Sequence, residues 1–511
     1  MPDGAWDAGG QAGAERGWWW LPLGSALVVL AAGSAGLVGA PFRLDTDDLA
    51  YLGMAWSHAS GAGLVAAGEF PPAGTHFPPG WPLILSWFFA AGVTLPTVIR
   101  LASGLSLTCL ASATAIWAVL FRRRLGAAWG AVAAVWCAVA FPSLLAGSSA
   151  SAEGPACLVT ALVAWLVSAD AGPGRISLRR RALLLGAALA ALALLRTQLL
   201  LLWPLALWEA RLRLTRRQQV IALALAAGLF GGANLLTASP PGSGYLAETW
   251  PAWRGGAASV GAAALRGNLT ENVWGAAARL TISPPPYSGI AARWLGSLGI
   301  RALAVAVCLG LAWAAWRERR RGLPPMAAAP LALALPFLLG YPYVLTPRFL
   351  LPAGPVLGFL TVVALRRALR GAPRLALTAA VVWLAIGVAW WVRLAPRYRE
   401  EQRVILADAG RTAEALIRQH RWGSSLCLRD PEVLWAVTPD ARACRFETMP
   451  ERLLPPAERA EAVHHHLERA GARCVVQSGT GQEGDSAPLP LAAWGYRPTF
   501  VTGSFSTWCR P

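Results

Sequence analysis

The sequence predicts an all-α, polytopic membrane protein of about eleven transmembrane helices, followed by a small α/β domain outside the membrane. Three observations carry that expectation. Of the 511 residues, 55% are apolar and only 14% are charged, and the mean hydropathy is +0.46, far from the composition of an ordinary soluble domain. Apolar runs near the length that crosses a hydrocarbon core alternate with short basic clusters. After Pro396 the charges become dense and no further run of spanning length follows.

The formal charge of +18 comes entirely from Arg, since the chain contains no Lys. The arginines stand in short groups between apolar runs, where they orient helices, so nucleic-acid binding is excluded as a function. A composition rich in Ala, Gly and Arg but without Lys fits a GC-rich bacterial coding bias, and with it a bacterial plasma membrane.

Five clusters pin the cytoplasmic side: Arg122 to Arg124, Arg175 with Arg179 to Arg181, Arg211 to Arg217, Arg317 to Arg321, and Arg366 to Arg374. Residues 1–17 form a cytoplasmic tail. The run from Trp18 to Ala40 is long enough to span and is followed by further spans, which argues against a cleavable signal peptide. Threading the chain between the pins places spans near 18–40, 97–121, 127–147, 152–169, 182–195, 198–210, 220–238, 297–316, 326–344, 349–365 and 375–394. Runs 182–195 and 198–210 are short, and parity favours a bent pair around Arg196 over one long broken helix. A further apolar run, Trp81 to Val93, lies along the outer face or dips in partway. The loop 41–96, the region 239–296 and everything after Leu394 then fall outside.

The 18–395 module is followed by the 396–511 domain. Tyr398 to His420 has helical amphipathic spacing. A strand at Ser425 to Leu428, a helix from Pro456 to Ala470, a strand from Arg473 to Gln477 and a closing strand pair near Thr499 to Trp508 complete an α/β unit. Cys427, Cys444, Cys474 and Cys509 sit in it. One or two disulfides suit an exported domain, burial of free thiols in strands is the alternative, and the pairing is open.

The residues that suggest chemistry lie on the outer side. Asp45, Asp47 and Asp48 crowd the hydrocarbon edge, where charge is costly to desolvate and usually lines a polar cavity. Asp47 or Asp48 precedes Leu49, Leu52 and Trp56, a stripe that predicts a short amphipathic helix resting on the membrane surface. One Asp can cap that helix, but capping needs only one acid. Crowded carboxylates raise one another's pKa, which suits a general base, and together they can hold a divalent cation through oxygen. The segment Thr75 to Pro82 is a rigid turn in which Pro78, Pro79 and Pro82 fix the backbone. It reads first as a helix entry, with His76 as a candidate substrate contact.

Arg196 and Arg348 interrupt apolar sequence on the side opposite the basic clusters. A forked guanidinium there matches a lipid phosphate, with snorkelling to headgroups as the alternative. Glu153, an acid at an outer helix end, reads equally as a cap or as a substrate contact. His464 to His466 are consecutive on a helix, point in different directions and cannot share one tetrahedral metal. No phosphate-cradling Gly loop stands on the cytoplasmic side, so a soluble nucleotide donor is not expected.

In this order, Asp47-Asp48-Leu49-Ala50-Tyr51, Ala59 to Gly63, Pro78-Pro79-Gly80-Trp81-Pro82-Leu83, Ser151-Ala152-Glu153, Leu195-Arg196-Thr197-Gln198 and Pro347-Arg348-Phe349-Leu350-Leu351-Pro352 resemble the GT-C glycosyltransferases. The resemblance is to the bacterial branch related to protein O-mannosyltransferases and lipid A aminoarabinose transferases, and it covers most of 18–395. It implies a hexosyl- or pentosyltransferase that takes a sugar from a polyprenyl phosphate at the extracytoplasmic face. The catalytic acid falls on Asp47 or Asp48, and Tyr51, Asp45, His76 and Glu153 join Arg196 and Arg348 as substrate contacts. A Mg²⁺ or Mn²⁺ ion on Asp47 and Asp48 is compatible with it, and the acceptor, whether protein, lipid or glycan, is open. The chain departs from the family pattern at Asp48, where Glu is frequent, and at Phe349, where Tyr is frequent. The rival classes are a transporter or flippase of lipid-linked sugars and a polysaccharide polymerase or ligase of another membrane fold. A transporter places ionisable residues near the midplane in repeated halves, and neither feature is evident.

Overall fold

The computed structural model describes residues 20–37, 46–61, 63–64, 77–168, 177–236, 273–281, 290–319, 325–338, 347–369, 371–419, 425–428, 444–446, 460–461, 463–465, 467–468, 471–478, 490–502 and 505–511. Helices α1 (Trp20–Leu37), α2 (Thr46–Ala59), α3 (Gly80–Ala90), α4 (Leu95–Leu125), α5 (Ala127–Ala138), α6 (Phe141–Gly147), α7 (Glu153–Val167) and α8 (Leu178–Leu195) come first. A 3₁₀ turn, Thr197–Leu201, leads into α9 (Leu202–Ala210) and α10 (Arg216–Leu236). Then follow α11 (Val273–Thr281), α12 (Ile290–Arg319), α13 (Ala329–Leu338), α14 (Pro347–Leu350), α15 (Gly354–Ala368) and α16 (Pro373–Arg418).

Helix occupies most of the described part of every predicted span. Leu95–Leu125, Arg216–Leu235, Pro347–Ala368 and Pro373–Arg397 are each long and apolar enough to cross a membrane, and α5 with α6, bent by 72°, form a fifth if taken as one span. The predicted break at Arg196 is present: α8 stops at Leu195, Arg196 is extended at φ −152° and ψ 115°, and the 3₁₀ turn restarts the helix.

Helix α4 shows how the sequence sets its ends. Pro96 sits in the first turn, where its missing N–H costs nothing, and Arg122, Arg123 and Arg124 crowd the last turn, where cations suit the helix dipole. Gly126, at φ 82°, ends it in a conformation that a side chain would strain, and its N–H closes on the Arg122 carbonyl. Three basic clusters meet at this end. The Arg366 guanidinium donates to the Leu125 carbonyl at 3.1 Å, and Arg367 pairs with Glu318 at 2.6 Å. Their meeting fits the shared side assigned to them by the orientation rule.

The acidic helix and the region 239–296 differ from expectation. Helix α2 does not rest on a surface: Tyr51 to Ala55 are buried without interruption, because α3 packs along it and further elements close over it. Helix α11 lies in the region 239–296, for which the sequence gives no element. Its Ala276, Leu280 and Thr281 are buried against α5, α6, α12, α14 and α15, and the Trp136 indole donates to the Thr281 carbonyl at 2.7 Å.

Helix α16 runs through the expected boundary at 396 without a break, with Pro396 inside it. Its Trp391 indole donates to the Ala32 carbonyl of α1 at 2.8 Å, and its far end packs on a sheet. That sheet contains β1 (Ser425–Leu428), β2 (Cys444–Phe446), β3 (Cys474–Ser478), β4 (Arg497–Thr502) and β5 (Phe505–Cys509) in the order β2-β1-β3-β5-β4. Strand β1 runs parallel to β2 and β3, whereas β3 with β5 and β5 with β4 are antiparallel. The predicted strands at 425–428, 473–477 and 499–508 are present, and β2 is an addition. Cys474 and Cys509, directly opposite each other on β3 and β5, form a disulfide. Cys427 and Cys444 lie on neighbouring strands, with their side chains outside the described residues.

Candidate active site

Helix α2 starts at Thr46, so Asp47 and Asp48 occupy its first turn, where negative charge complements the unpaired N–H groups. Asp48 is 1% exposed and shares its side of the helix with Tyr51, Leu52 and Ala55, all buried. The spacing 48, 51, 52, 55 is the stripe of a 3.6-residue period, so the Asp48 carboxylate belongs to the inward stripe and not to the lipid side. Asp47 stands about 100° around the helix axis from it. Its side chain lies outside the described residues, as do Asp45 and His76. The Tyr51 ring meets Phe77 edge-on at 5.3 Å.

The Pro-rich turn enters α3, as its composition predicts, and it also serves as a clamp. The Trp81 indole, fully buried, donates to the Ala150 carbonyl at 2.7 Å. Gly80 lies so close to the end of α8 that an added Cβ would stand 2.7 Å from the Leu194 carbonyl oxygen. Gly80→Ala is therefore expected to force α3 and α8 apart and to destabilise the protein by about 1–3 kcal/mol, read as a lower midpoint of thermal unfolding in detergent. An unchanged midpoint would show that the contact is not tight.

The small-residue segment 148–152 is held by its serines. The hydroxyls of Ser148, Ser149 and Ser151 donate to carbonyls of Leu144 and Ala146 at the end of α6, which also accept from the backbone N–H groups of Ser148 and Ser149. Glu153 follows as the first residue of α7, with Ala152 at the cap position. Its carboxylate does not close its own helix; it pairs with the Arg196 guanidinium. Both side chains are buried, at 2% and 6% exposure, so each meets the desolvation cost of the other. The extended Arg196 backbone between α8 and the 3₁₀ turn delivers the guanidinium to this point.

The Phe349 ring gathers the second cation. The Arg196 guanidinium carbon is 5.7 Å and that of Arg348 5.2 Å from its centroid, within cation–π range, and the Gln198 side-chain amide reaches the Phe349 carbonyl at 3.5 Å. Arg348 is half-buried. Glu153, Arg196 and Arg348, far apart in sequence, are thus one cluster around Phe349. The acidic helix is linked to it through one continuous buried cluster, in which Tyr51, Leu52 and Ala55 stand with Ala152 and Leu195, the sequence neighbours of Glu153 and Arg196. Phe349, Gln198 and Trp81 stand in segments singled out by sequence, but nothing in spacing assigned them contacts.

Among the described residues no group of three His, Cys, Asp or Glu side chains is placed to hold a metal ion.

No protein-family model and no curated protein sequence matches the chain. Solved structures do. ArnT from Cupriavidus metallidurans, crystallised bound to undecaprenyl phosphate, superposes with a TM-score of 0.58 at 14% identity over 97% of this chain and 98% of that one. The apo form of the same protein gives 0.53. The Archaeoglobus fulgidus oligosaccharyltransferase, crystallised with zinc and sulfate, gives 0.51 at 12% identity over 96% of this chain and 73% of that one. Both are GT-C superfamily proteins, so the chain has the fold of the GT-C membrane glycosyltransferases along nearly its whole length. At such identities the likeness concerns the fold, and any activity must be argued from the site.

Proposed function

We propose that this chain is an integral membrane, inverting glycosyltransferase that moves a sugar from a polyprenyl-phosphate carrier to an acceptor on the extracytoplasmic face of a bacterial plasma membrane. The observation that carries the reading is the pair of arginines on one aromatic ring, linked through one buried cluster to the acidic helix, in a fold whose solved example ArnT was crystallised bound to undecaprenyl phosphate. The orientation follows from the basic clusters that meet at one end of α4, about 45 Å along that 31-residue helix from its opposite end. With the eleven spans expected from the sequence, the acidic loop and the 396–511 region lie outside.

The chemistry required is modest and the residues match it. The leaving group is a lipid phosphate, stable as an anion, so no strong general acid is needed. A carboxylate, Asp47 or Asp48, takes the proton of the acceptor hydroxyl as its oxygen attacks the anomeric carbon. The bond from that carbon to the phosphate oxygen breaks on the opposite face, and the configuration inverts. Arg348, half-buried, and Arg196 hold the phosphate as its charge develops. Glu153 keeps the Arg196 guanidinium in one orientation. A divalent ion on the two Asp would add to the charge on the phosphate side or lower the pKa of the attacking hydroxyl.

Membranes containing the wild-type protein, incubated with a panel of radiolabelled polyprenyl-phosphate hexoses and pentoses, are expected to pass label to a product that organic extraction separates from the donor. Absence of transfer from every donor, at normal protein level, would instead favour transport of the lipid-linked sugar.

A further inference from the structure

The sheet uses its two faces differently. Along β3, Cys474 and Val476 are buried in one apolar cluster and Val475, between them, in another, as expected of a pleated strand covered on both sides. Along β5, Phe505 and Cys509 join the first cluster while Trp508 packs on the second. The second cluster is local: its buried members, such as Val463, Leu467 and Tyr496, all come from the sheet and the chain flanking it. The first cluster is shared. It continues through Ala409, Ala413 and Leu416 of α16, and the same continuous set of buried residues contains Tyr51 and Leu52 of α2 and Trp81 of α3. The disulfide therefore closes the face of the sheet that belongs to the core of the acidic helix, and it is itself buried, with Cys474 fully covered and Cys509 3% exposed. A hydroxyl contact between Thr412 of α16 and Thr502 of β4 fixes the helix to the same sheet.

We propose that the disulfide-closed face of the sheet, with the end of α16, is a positioning element for α2: it backs the core that holds the Asp47–Asp48 turn in place relative to Ala152 and Leu195, and so relative to Glu153 and Arg196. A helix of 14 residues is marginal on its own and takes its stability from packing. A covalent tie across the backing face narrows the ways in which that packing can loosen. The catalytic consequence rests on the glycosyltransferase reading; the mechanical coupling does not.

Backbone hydrogen–deuterium exchange on the purified full-length protein tests the coupling without reference to activity. Three variants are compared with wild type: Cys474→Ala with Cys509→Ala, Phe505→Ala with the disulfide intact, and Val475→Ala, which loosens the sheet from its other face. The amides of residues 46–59 are expected to exchange at least about tenfold faster in the first two and at the wild-type rate in the third. Where transfer is measurable, kcat is expected to fall by about tenfold or more with the donor KM unchanged, since misplacing a base by an ångström is enough. Exchange in α2 that stays at the wild-type rate in both the double Cys variant and Phe505→Ala, while the sheet opens, would overturn the proposal. So would an α2 response to Val475→Ala as large as to the others. If the double Cys variant does not accumulate, Phe505→Ala against Val475→Ala decides. Faster α2 exchange in a protein that transfers no sugar supports the coupling and counts only against the glycosyltransferase reading.

Discussion

Asn in place of the α2 Asp proposed as base is expected to lower sugar transfer by roughly 10²- to 10⁴-fold, the usual worth of a positioned base, with the amount of folded protein unchanged. Asn preserves the size of the side chain and its ability to accept a hydrogen bond at the start of the helix, but it cannot take a proton. The substitution therefore separates chemistry from capping, because a cap survives it and a base does not. Two residues compete for the role. Asp48 lies on the buried stripe with Tyr51 and Leu52, and Asp47 stands one position earlier on the same turn. The variant with the larger loss names the base, and the smaller loss in the other measures the electrostatic support of a neighbouring charge.

Arg196→Ala is expected to cost stability as well as activity. It strands the Glu153 carboxylate, 2% exposed, and removing one partner of a buried pair typically costs about 3–5 kcal/mol. The transfer assay alone would then mislead, since a protein that unfolds also loses transfer. A joint Glu153→Leu and Arg196→Met replacement resolves this. Apolar residues of similar volume remove both charges at once, and stability is expected to return to near the wild-type midpoint while transfer stays absent because the phosphate has lost a cation. Return of transfer together with stability would show that the pair only holds α7 to α8. Arg348→Ala makes the contrasting case: this cation is only half-buried and lies against the Phe349 ring, so its loss is expected to weaken donor use with a smaller effect on unfolding than Arg196→Ala.

How much of this was legible in the sequence depends on the range of the interaction. Helix positions follow from apolar run length and Arg punctuation, which are local, and the break at Arg196 follows from the two short apolar runs on either side of it. The entry of α3 was readable from Pro78, Pro79 and Gly80, because proline and glycine act on their own backbone. Contacts between distant segments were not readable. Glu153 and Arg196 are 43 residues apart on different helices, and their charges, considered singly, left capping and headgroup contact open. Phe349 carries no polar signal, so its role as the ring shared by two guanidiniums required coordinates. The apolar stripe of α2 is visible in sequence and predicts a surface helix, whereas the elements that cover its other sides come from α3 and beyond. Strand β2 has three residues, Cys444-Arg445-Phe446, without alternation long enough to register, and α11 has nine residues, too few to stand out in the loop around it. Four cysteines in sequence do not select a pair, and the antiparallel register of β3 and β5 brings Cys474 opposite Cys509.

The central claim is that an acid on α2 serves as base for transfer from a lipid-phosphate sugar held by the outer arginines. Its most direct test is label transfer from a radiolabelled polyprenyl-phosphate sugar in membranes matched for protein level, comparing wild type with Asp47→Asn, Asp48→Asn and Arg348→Ala. The account predicts transfer in the wild type, its loss in at least one Asp variant, and a raised donor requirement in Arg348→Ala. Transfer at the wild-type rate in both Asp variants would contradict it.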